Sequence, residues 1–350
     1  MICIFSTSRD QSTTEVMRWL QHLGCTDVLR INSDKASVSH SIVDLDVDQD
    51  TFSFRLGERT VNLSEIKAVW YRKGKNWLSN QFLDVGFNDK PRLSSYLRDR
   101  LSREETRLAE YLHFLIENAV PALGSSARCD LNKLLVLHAA KKVGLLTPPF
   151  RISNSRDVLA KTVKDRPHIT KPITDVVYLF DIEDTKTGYF SYTEAIVPST
   201  LDDLPCRISP SLVQEQIIKK YEVRVFYLEG SLYPMAIFSQ RDEQTQVDFR
   251  RYNYLKPNRA VPLELTPSIR CKITSLFTSL GLNTGSADFI VDRNGQYYFL
   301  EINPVGQFSM VSTPCNLFLE REVAVMLCGY NDRNKHMPEV NRRRDNDGSL

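Results

Sequence analysis

"DFIVDRNGQYYFLEINPVGQF", residues 288–308, places acidic side chains within two apolar runs that a short polar segment separates. Asn-Gly between apolar runs is the strongest short signal for a β-hairpin, because both central residues of the favoured turn need φ > 0. A two-residue loop at Asn294 and Gly295 fixes the register, and counting outward from it places Asp288 opposite Glu301. The sequence therefore predicts two carboxylates that face each other on neighbouring strands.

Two opposed carboxylates need a partner if the hairpin is buried. Directly paired residues project from one face of a sheet with Cβ atoms about 5 Å apart, and Asn303 follows Glu301 on the same face. Such carboxylates repel each other and lose hydration unless a positive charge lies between them. Asp, Glu and Asn supply the oxygen ligands that Mg²⁺ takes, which it often shares with substrate phosphates. The alternative is an edge hairpin whose acids face water, and the spacing fits both.

Composition narrows the class of protein. The chain has 350 residues, enough for two or three linked subdomains. Its 45 basic and 43 acidic residues give a net charge of +2, so nothing indicates bulk nucleic-acid binding.

The cysteines and the N-terminus predict a compartment. The seven cysteines are odd in number, scattered and without a C-x-x-C pair, which favours reduced thiols over a zinc site or a disulfide framework. The apolar part of "MICIFSTSRD" is too short for a signal peptide, and no apolar run approaches a membrane span. We therefore expect a soluble, cytoplasmic protein.

The first third of the chain alternates strand and helix patterns. "ICIFST", "DVLRIN" and "KAVWYRKG" read as strands, "STTEVMRWLQHLG" as a helix that Gly24 ends, and "TFSFRL" with "TVNL" as a hairpin. This order predicts a small parallel sheet covered by helices. Residues 91–119 read as one or two long Arg-rich helices with a solvated face, and the polar tail after about residue 330 reads as disordered.

Two lysines lie at the ends of predicted elements in the middle of the chain. Asp130 is a good N-cap for the helix in "CDLNKLLVLHAAKKVG". Lys133 then falls in the first turn, where the helix dipole disfavours a cation. Its ammonium group either reaches solvent or, with the N–H groups of that turn, meets an anion. Lys171 ends the short strand pattern of "HITKPITD".

Strand patterns at Leu212–Ile217 and Glu222–Tyr227 follow, and a third strand starts after Gly230. Glu222 and Arg224 project from one face by the two-residue period of a strand. No G-x-x-x-x-G-K-[ST] or G-x-G-x-x-G motif is present. Phosphate groups would therefore have to be held by lysines.

In their order along the chain, these motifs resemble the ATP-grasp superfamily of carboxylate ligases. The run "GLNTGSADFIVDRNGQYYFLEINPVGQFSMVSTPCN" is similar to the grasp-with-spasm and microviridin-type peptide maturases, the graspetide ligases. The resemblance implies an α/β ATP-grasp fold in which a central and a C-terminal domain clamp ATP. It implies an N-terminal parallel-sheet pre-ATP-grasp domain at 1–124, a central domain at 125–213 and a C-terminal domain at 214–330, before a disordered tail at 331–350.

The resemblance also implies roles for individual residues. Lys133 and Lys171 match the lysines that bind phosphate. Glu215, Gln216 and Ile217 match the hinge that takes adenine through its backbone, and Glu222 matches the acid that binds ribose. Mg²⁺ ligands are matched by Asp288, Glu301 and Asn303. Catalytic arginines that face the γ-phosphate or a substrate carboxylate are matched by Arg224, Arg241 and Arg250. Residues 181–193 match the loop that folds over phosphates, although Gly188 is the only glycine there.

The implied activity is ATP-dependent macrocyclisation of a ribosomally made precursor peptide. A side-chain carboxylate of the peptide becomes an acyl-phosphate, which a Ser or Thr hydroxyl or a Lys amine then attacks to give an ω-ester or ω-amide. ATP and Mg²⁺ are the implied cofactors, and a homodimer is expected from the family alone. The general base stays unassigned, because Asp248 and His138 have equally good structural explanations.

Two alternatives remain open at the level of sequence. One is an ATP-grasp ligase that adds a free amino acid to a peptide or protein, against which the "NPVGQF" continuation argues. The other is a module that binds nucleotide and peptide without turnover, which would be expected to lose a metal ligand or a phosphate lysine. A separate hypothesis places the leader of the precursor on the basic helix near residues 91–110, through Arg98, Arg100 and Arg103.

Overall fold

The computed structural model describes residues 1–34, 42–49, 51–73, 91–174, 178–180, 188–190, 193–240 and 258–335. The chain forms two compact units. The first contains Met1–Cys129 with Phe318–Leu350, and the second contains Asp130–Leu317. The described residues include no helix long and apolar enough to cross a membrane.

The described part of the first unit contains two sheets and three α-helices. Its strands are β1 (Ile2–Ser6), β2 (Val28–Asn32), β3 (Ile42–Asp46), β4 (Thr51–Leu56), β5 (Arg59–Asn62), β6 (Ala68–Tyr71) and β7 (Ala122–Leu123), and its helices are α1 (Gln11–His22), α2 (Pro91–Ala119) and, from the end of the chain, α8 (Leu319–Lys335). Strands β2-β1-β6-β7 form a parallel sheet in that order, and β3-β4-β5 form an antiparallel one.

The predicted parallel sheet of the first unit is confirmed. Strand β1 is buried along its whole length because it lies between two other strands. Gly24 follows α1 with φ of 81°, a conformation that glycine adopts without strain. The core of this unit joins the sheet to the second half of α2 through side chains that include Phe5, Phe54, Leu112 and Ile116.

A buried ion pair holds the loop between β1 and α1. Asp10 caps α1 by accepting from the backbone N–H of Thr13 at 2.8 Å, and its carboxylate lies 3.3 Å from Arg72 and 3.0 Å from Lys73. Burial opposes ionisation of Asp10, but the charge of Arg72 and the Thr13 N–H outweigh it. The pKa of this carboxyl therefore lies below its usual value.

Helix α2 is continuous from Pro91 to Ala119. Arg100 pairs with Glu104 at 2.5 Å and Arg103 with Asp99 at 3.7 Å, all four of them exposed. These exposed pairs balance part of the positive charge of the helix. They fit the predicted solvated face. That the helix holds a leader peptide stays a prediction.

Two expectations for the first unit were wrong. The structure joins Cys25 and Cys328 in a disulfide, although the sequence favoured seven reduced thiols. The two positions are 303 residues apart and meet only because α1 packs against α8, which spacing cannot reveal. Helix α8 also places residues 318–330 in the first unit rather than in a C-terminal domain, and it continues through residues 331–335 of the predicted tail.

The second unit contains the remaining elements. Its helices are α3 (Lys133–Lys142), α4 (Arg156–Val163), α5 (Ser199–Asp202), α6 (Pro267–Ser279) and α7 (Ser309–Cys315). Its strands are β8 (Phe150–Ser155), β9 (His168–Lys171), β10 (Tyr178–Phe180), β11 (Gly188–Phe190), β12 (Glu194–Ile196), β13 (Arg207–Glu215), β14 (Lys219–Leu228), β15 (Ser231–Phe238), β16 (Arg259–Pro262), β17 (Thr284–Asp292) and β18 (Tyr297–Asn303).

Two antiparallel sheets dominate the second unit. One has the strand order β12-β9-β13-β8 and the other β16-β15-β14-β17-β18, while β10 and β11 pair separately. The larger sheet packs against α3 and α6 around a core that includes Phe277, Phe289 and Phe299. The smaller sheet shares a core with α4 that includes Leu159 and Val213. Apart from residues 318–330, the predicted division of residues 125–330 into a central and a C-terminal domain stays a prediction.

Candidate nucleotide and metal site

The hairpin of β17 and β18 carries the predicted acid pair. Asp288 lies opposite Glu301, as the sequence predicted, but the turn differs. The N–H of Gly295 donates to the carbonyl of Asp292 at 3.1 Å, and of the central pair Asn294-Gly295 only Gly295 has positive φ. This is a type I turn followed by a left-handed glycine, which makes the loop one residue longer than a two-residue turn.

A β-bulge compensates for the longer turn. Pairing shifts between Phe289, opposite Phe299, and Asp288, opposite Glu301, so Leu300 is the extra residue. Phe299 is buried in the core, whereas Leu300 and Glu301 both line a cleft. Because one extra residue exchanges the two faces of a strand, the bulge directs Glu301 into the cleft rather than the core.

The cleft opens on the larger sheet and on the ends of β9 and β13. It encloses about 890 Å³ of empty space, including the part open to solvent. Eight of the predicted site residues line it: Lys171, Glu215, Gln216, Ile217, Glu222, Arg224, Asp288 and Glu301. The structure therefore brings most of the predicted site together, from positions far apart in the chain.

Asp288 forms a two-bonded ion pair with Arg224. The residues face each other on β14 and β17, and Nε and Nη2 of Arg224 donate to the two carboxylate oxygens at 2.7 and 2.6 Å. Both side chains are about nine-tenths buried. The remaining Nη1 of Arg224 contacts the Met310 sulfur on α7. A charge predicted to face phosphate thus neutralises a predicted metal ligand in this structure.

Glu301 faces Lys133, whose Nζ lies 3.6 Å from its carboxylate and donates to the carbonyl of Thr174 at 2.8 Å. Helix α3 begins at Lys133, which confirms the first-turn position. The predicted cap is wrong, because Asn132 rather than Asp130 accepts from the N–H groups of the first turn. With this start, Leu135 is 66% exposed, whereas Val136, Leu137 and Ala140 are buried.

The segment between β13 and β14 matches the predicted hinge. The N–H groups of Glu215 and Gln216 donate to the carbonyls of Pro149 at 2.8 Å and Pro167 at 2.9 Å. Within the described chain, the N–H of Ile217 donates to no backbone carbonyl outside the strands. Ile217 therefore presents a backbone donor at the cleft wall.

Glu222 is buried beside Lys219, a residue that the sequence did not single out. The Nζ of Lys219 contacts one carboxylate oxygen of Glu222, and Ser239 Oγ reaches the same oxygen at 3.4 Å. Both side chains line the cleft. Lys219 at the start of a buried strand could be noticed in the sequence, but nothing in the sequence indicated which residue it contacts. The ribose role of Glu222 stays a prediction.

Asn303 anchors the turn after β18. Its Oδ1 accepts from the N–H groups of Val305 at 3.1 Å and Gly306 at 3.0 Å. Gly306 has φ of 57°, and a Cβ there would lie 3.0 Å from Ser286 Oγ. The "NPVG" stretch is therefore a compact turn packed on β17, and Asn303 has a structural role alongside its predicted one as a ligand.

Some predicted residues are outside the described part of the chain. Arg241 and Arg250 fall in residues 241–257, and most of the predicted phosphate loop falls in residues 181–187 and 191–192. Among the residues that the structure describes, no three His, Cys, Asp or Glu side chains cluster as metal ligands do. The predicted oxygen donors for a cation are the carboxylates of Asp288 and Glu301, which line the cleft, and the Asn303 amide, whose Oδ1 accepts from two backbone N–H groups.

Known proteins resemble this chain in both units. Residues 1–89 match the family model of the MvdD pre-ATP grasp domain. No curated protein matches the sequence.

Solved structures match nearly the whole chain. A Chryseobacterium gregarium RiPP-associated ATP-grasp ligase, in complex with ADP and a leader and core peptide, superposes with a TM-score of 0.75 at 22% identity over 98% of this chain and 99% of its own. The macrocyclase MdnC of Microcystis aeruginosa MRC, bound with precursor peptide MdnA, gives 0.73 at 25% identity over 94% of this chain and 100% of its own.

The ATP-grasp ligase PsnB, complexed with minimal precursor, Mg and ADP, gives a TM-score of 0.69 at 17% identity over 94% of this chain and 97% of its own. These similarities confirm the ATP-grasp fold, the α/β class and the resemblance to peptide-modifying ATP-grasp ligases.

Proposed function

We propose that this chain, which has the fold of the ATP-grasp ligases that modify ribosomal peptides, is an ATP-dependent peptide macrocyclase. Its substrate is a ribosomally made precursor peptide with a leader and a core. It activates Asp or Glu side chains of the core as acyl-phosphates and joins them to Ser or Thr hydroxyls or to Lys amines of the same peptide. The observation that carries this proposal is the cleft in which Asp288, Glu301 and Arg224 meet beside the hinge at Glu215–Ile217, with Lys133 paired to Glu301.

The donor set fits Mg²⁺. Asp288 and Glu301 are opposed across one hairpin and reach the cleft together, and two carboxylates are what Mg²⁺ takes when it keeps waters and binds phosphates. In the structure, Arg224 and Lys133 balance the negative charges of these two carboxylates. Bound there, Mg²⁺ would neutralise charge on the phosphate oxygens.

The residues in and beside the cleft then have separate roles in binding ATP. The Ile217 N–H and the hinge backbone hold the base. Lys171, which lines the cleft, and Lys133, which pairs with Glu301, place ammonium groups at the phosphates. Phosphoryl transfer depends on positioning and charge neutralisation more than on covalent help from the protein. Arg224, held by Asp288, adds a buried guanidinium to the site.

Each turnover consists of a phosphoryl transfer and an acyl transfer. A peptide carboxylate attacks the γ-phosphorus of ATP, which releases ADP and leaves an acyl-phosphate. A hydroxyl or amine of the same peptide attacks the acyl carbon, phosphate leaves, and the nucleophile gives up its proton. Each ring thus costs one ATP and removes one water from the peptide.

The two alternatives predict different products. Ligation of a free amino acid would add mass to the acceptor, and a binding module would release no ADP. Against the binding module, the chain retains Lys133, Lys171, Asp288, Glu301 and Asn303. The similarity of this chain to macrocyclase structures supports ring formation.

The test is the intact mass of a candidate precursor peptide after incubation with the protein, Mg²⁺ and ATP. Loss of one water per ring, dependent on ATP and absent with an Asp288→Asn, Glu301→Gln double variant, supports the proposal. Glu264→Gln, an exposed residue outside the cleft, is the matched control and should keep full activity. A gain in mass, or ATP binding without any change of peptide mass, would contradict ring formation.

We also propose that the chain acts in the cytoplasm, where ATP and newly made peptide are both present, and that it forms a homodimer without nucleic acid. Helix α2 supports the dimer. None of its residues 95–108 is buried, and Tyr96 is 81% exposed, although a helix gains most of its stability from packing. Sedimentation at several concentrations should show a dimer, and a monomer throughout would contradict it.

A further inference from the structure

The disulfide of the first unit joins the end of α1 to α8. Cys25 follows α1, and Cys328 lies on α8. Their Cα atoms are 6.4 Å apart, within the range that a disulfide spans without movement of the backbone. The backbone N–H of Cys25 donates to the carbonyl of Leu20 at 2.9 Å, so the end of α1 fixes its position. The same backbone can therefore hold two thiols or one disulfide.

Access to solvent separates this pair from the other cysteines. The free cysteines are Cys3, Cys129, Cys206, Cys271 and Cys315. Burial raises the pKa of the Cys3 thiol to about 12, and a thiol that stays protonated is a poor nucleophile. Cys25 and Cys328 are both partly exposed, so a small thiol in solution can approach the bond between them. These two residues combine a partner within reach with access for thiol exchange.

Helix α8 carries backbone strain at its start and the disulfide near its end. Phe318, which precedes the helix, has φ of 50°, a conformation that is unfavourable for an aromatic residue. Leu319 and Leu327 are buried and anchor the helix between these points. The disulfide joins positions 303 residues apart, and a crosslink over a long loop stabilises most because it constrains the unfolded chain. Reduction should therefore weaken the hold on α8.

We propose that Cys25 and Cys328 form a reversible redox switch that holds the end of α8 on α1. In the cytoplasm proposed above, thiols are kept reduced, and the disulfides that form there are usually transient and redox-sensing. The two thiols pass two electrons and two protons to glutathione disulfide, which becomes two molecules of glutathione, and excess glutathione reverses the exchange. The inference rests on the proposed cytoplasmic location and not on the proposed activity.

The first experiment equilibrates the full chain with glutathione at a series of ratios of the reduced to the oxidised form. After an acid quench, free thiols are alkylated and the modified cysteines are identified by mass spectrometry. Cys25 and Cys328 should change together from alkylated to protected as the ratio falls, without bound glutathione. A bond that survives excess reduced glutathione overturns the proposal. Thiols that stay alkylated in excess glutathione disulfide, or that each bind glutathione separately, also overturn it.

Thermal unfolding then tests the hold on α8. Reduction should lower the midpoint of the unaltered protein by about 5 °C or more. Cys25→Ser should remove this dependence on glutathione, whereas Cys271→Ser, at an exposed free cysteine, should keep it. An equal midpoint for the oxidised and reduced unaltered protein overturns the proposal, and that comparison needs no variant to fold. Neither experiment uses ATP or peptide, so its failure would leave the proposed macrocyclase activity standing.

Discussion

Arg224 and Asp288 lie directly opposite each other on β14 and β17 and share two hydrogen bonds of 2.7 and 2.6 Å. Both side chains are about nine-tenths buried. Breaking such a pair by removing one charge leaves the other uncompensated, which is more unfavourable than losing the pair as a whole. The pair therefore links the stability of the sheet to the chemistry of the cleft.

Asp288→Asn should lower both the affinity for ATP in Mg²⁺ and the stability of the fold. We expect Mg²⁺-dependent ATP affinity to fall by at least about tenfold, because a carboxylate ligand becomes a neutral amide. We also expect the midpoint of thermal unfolding to fall, because Arg224 is left buried without its counter-charge. Calorimetric titration and thermal unfolding measure the two effects. Unchanged affinity in Mg²⁺ would show that Asp288 is a structural partner of Arg224 and not a metal ligand.

Lys133→Met tests the phosphate role of the first turn of α3. The ammonium group is fixed by Glu301 at 3.6 Å and by the Thr174 carbonyl at 2.8 Å. We expect a loss of ATP affinity that exceeds the loss for adenosine, since the base and ribose do not depend on this charge. Lys161→Met, on the exposed side of α4, is the matched control. Equal losses for ATP and adenosine would argue for a role in folding only.

Gly306→Ala should destabilise the turn after β18. Its φ of 57° is unfavourable for alanine, and the added Cβ would lie 3.0 Å from Ser286 Oγ and 3.1 Å from the carbonyl carbon of Gly285. Strain in this region of φ costs about 1–3 kcal/mol. Gly295→Ala has a similar φ of 81° but nothing within 4 Å, so it isolates the strain from the crowding. We expect the unfolding midpoint to fall further for Gly306→Ala, and equal shifts would exclude the crowding.

Asp10→Asn should destabilise the first unit in a pH-dependent way. The folded pKa of Asp10 lies below its usual value, so its ionised form stabilises the fold above the unfolded pKa of about 3.9. That contribution is lost as the pH falls through the folded pKa. We expect a loss of about 3 kcal/mol at pH 7 because Arg72 stays buried. In urea unfolding, the difference between the proteins should shrink below about pH 4, and a difference independent of pH would contradict the assignment.

The sequence alone predicted that the first sheet is parallel, that residues 288–303 form a hairpin and that Asp288 lies opposite Glu301. These follow from local periodicity and from Asn-Gly turn chemistry, which act over a few residues. The hairpin prediction carried two errors of one residue each. The longer loop at Gly295 and the bulge at Leu300 cancel, because each shifts the register by one.

Only the tertiary structure decided which charges meet. Arg224 is 64 residues from Asp288 in the chain, Lys133 lies far from Glu301, and Cys25 is 303 residues from Cys328, so no spacing rule joins them. Periodicity assigns a residue to a face of its own strand or helix, but packing of distant segments fixes what that face meets.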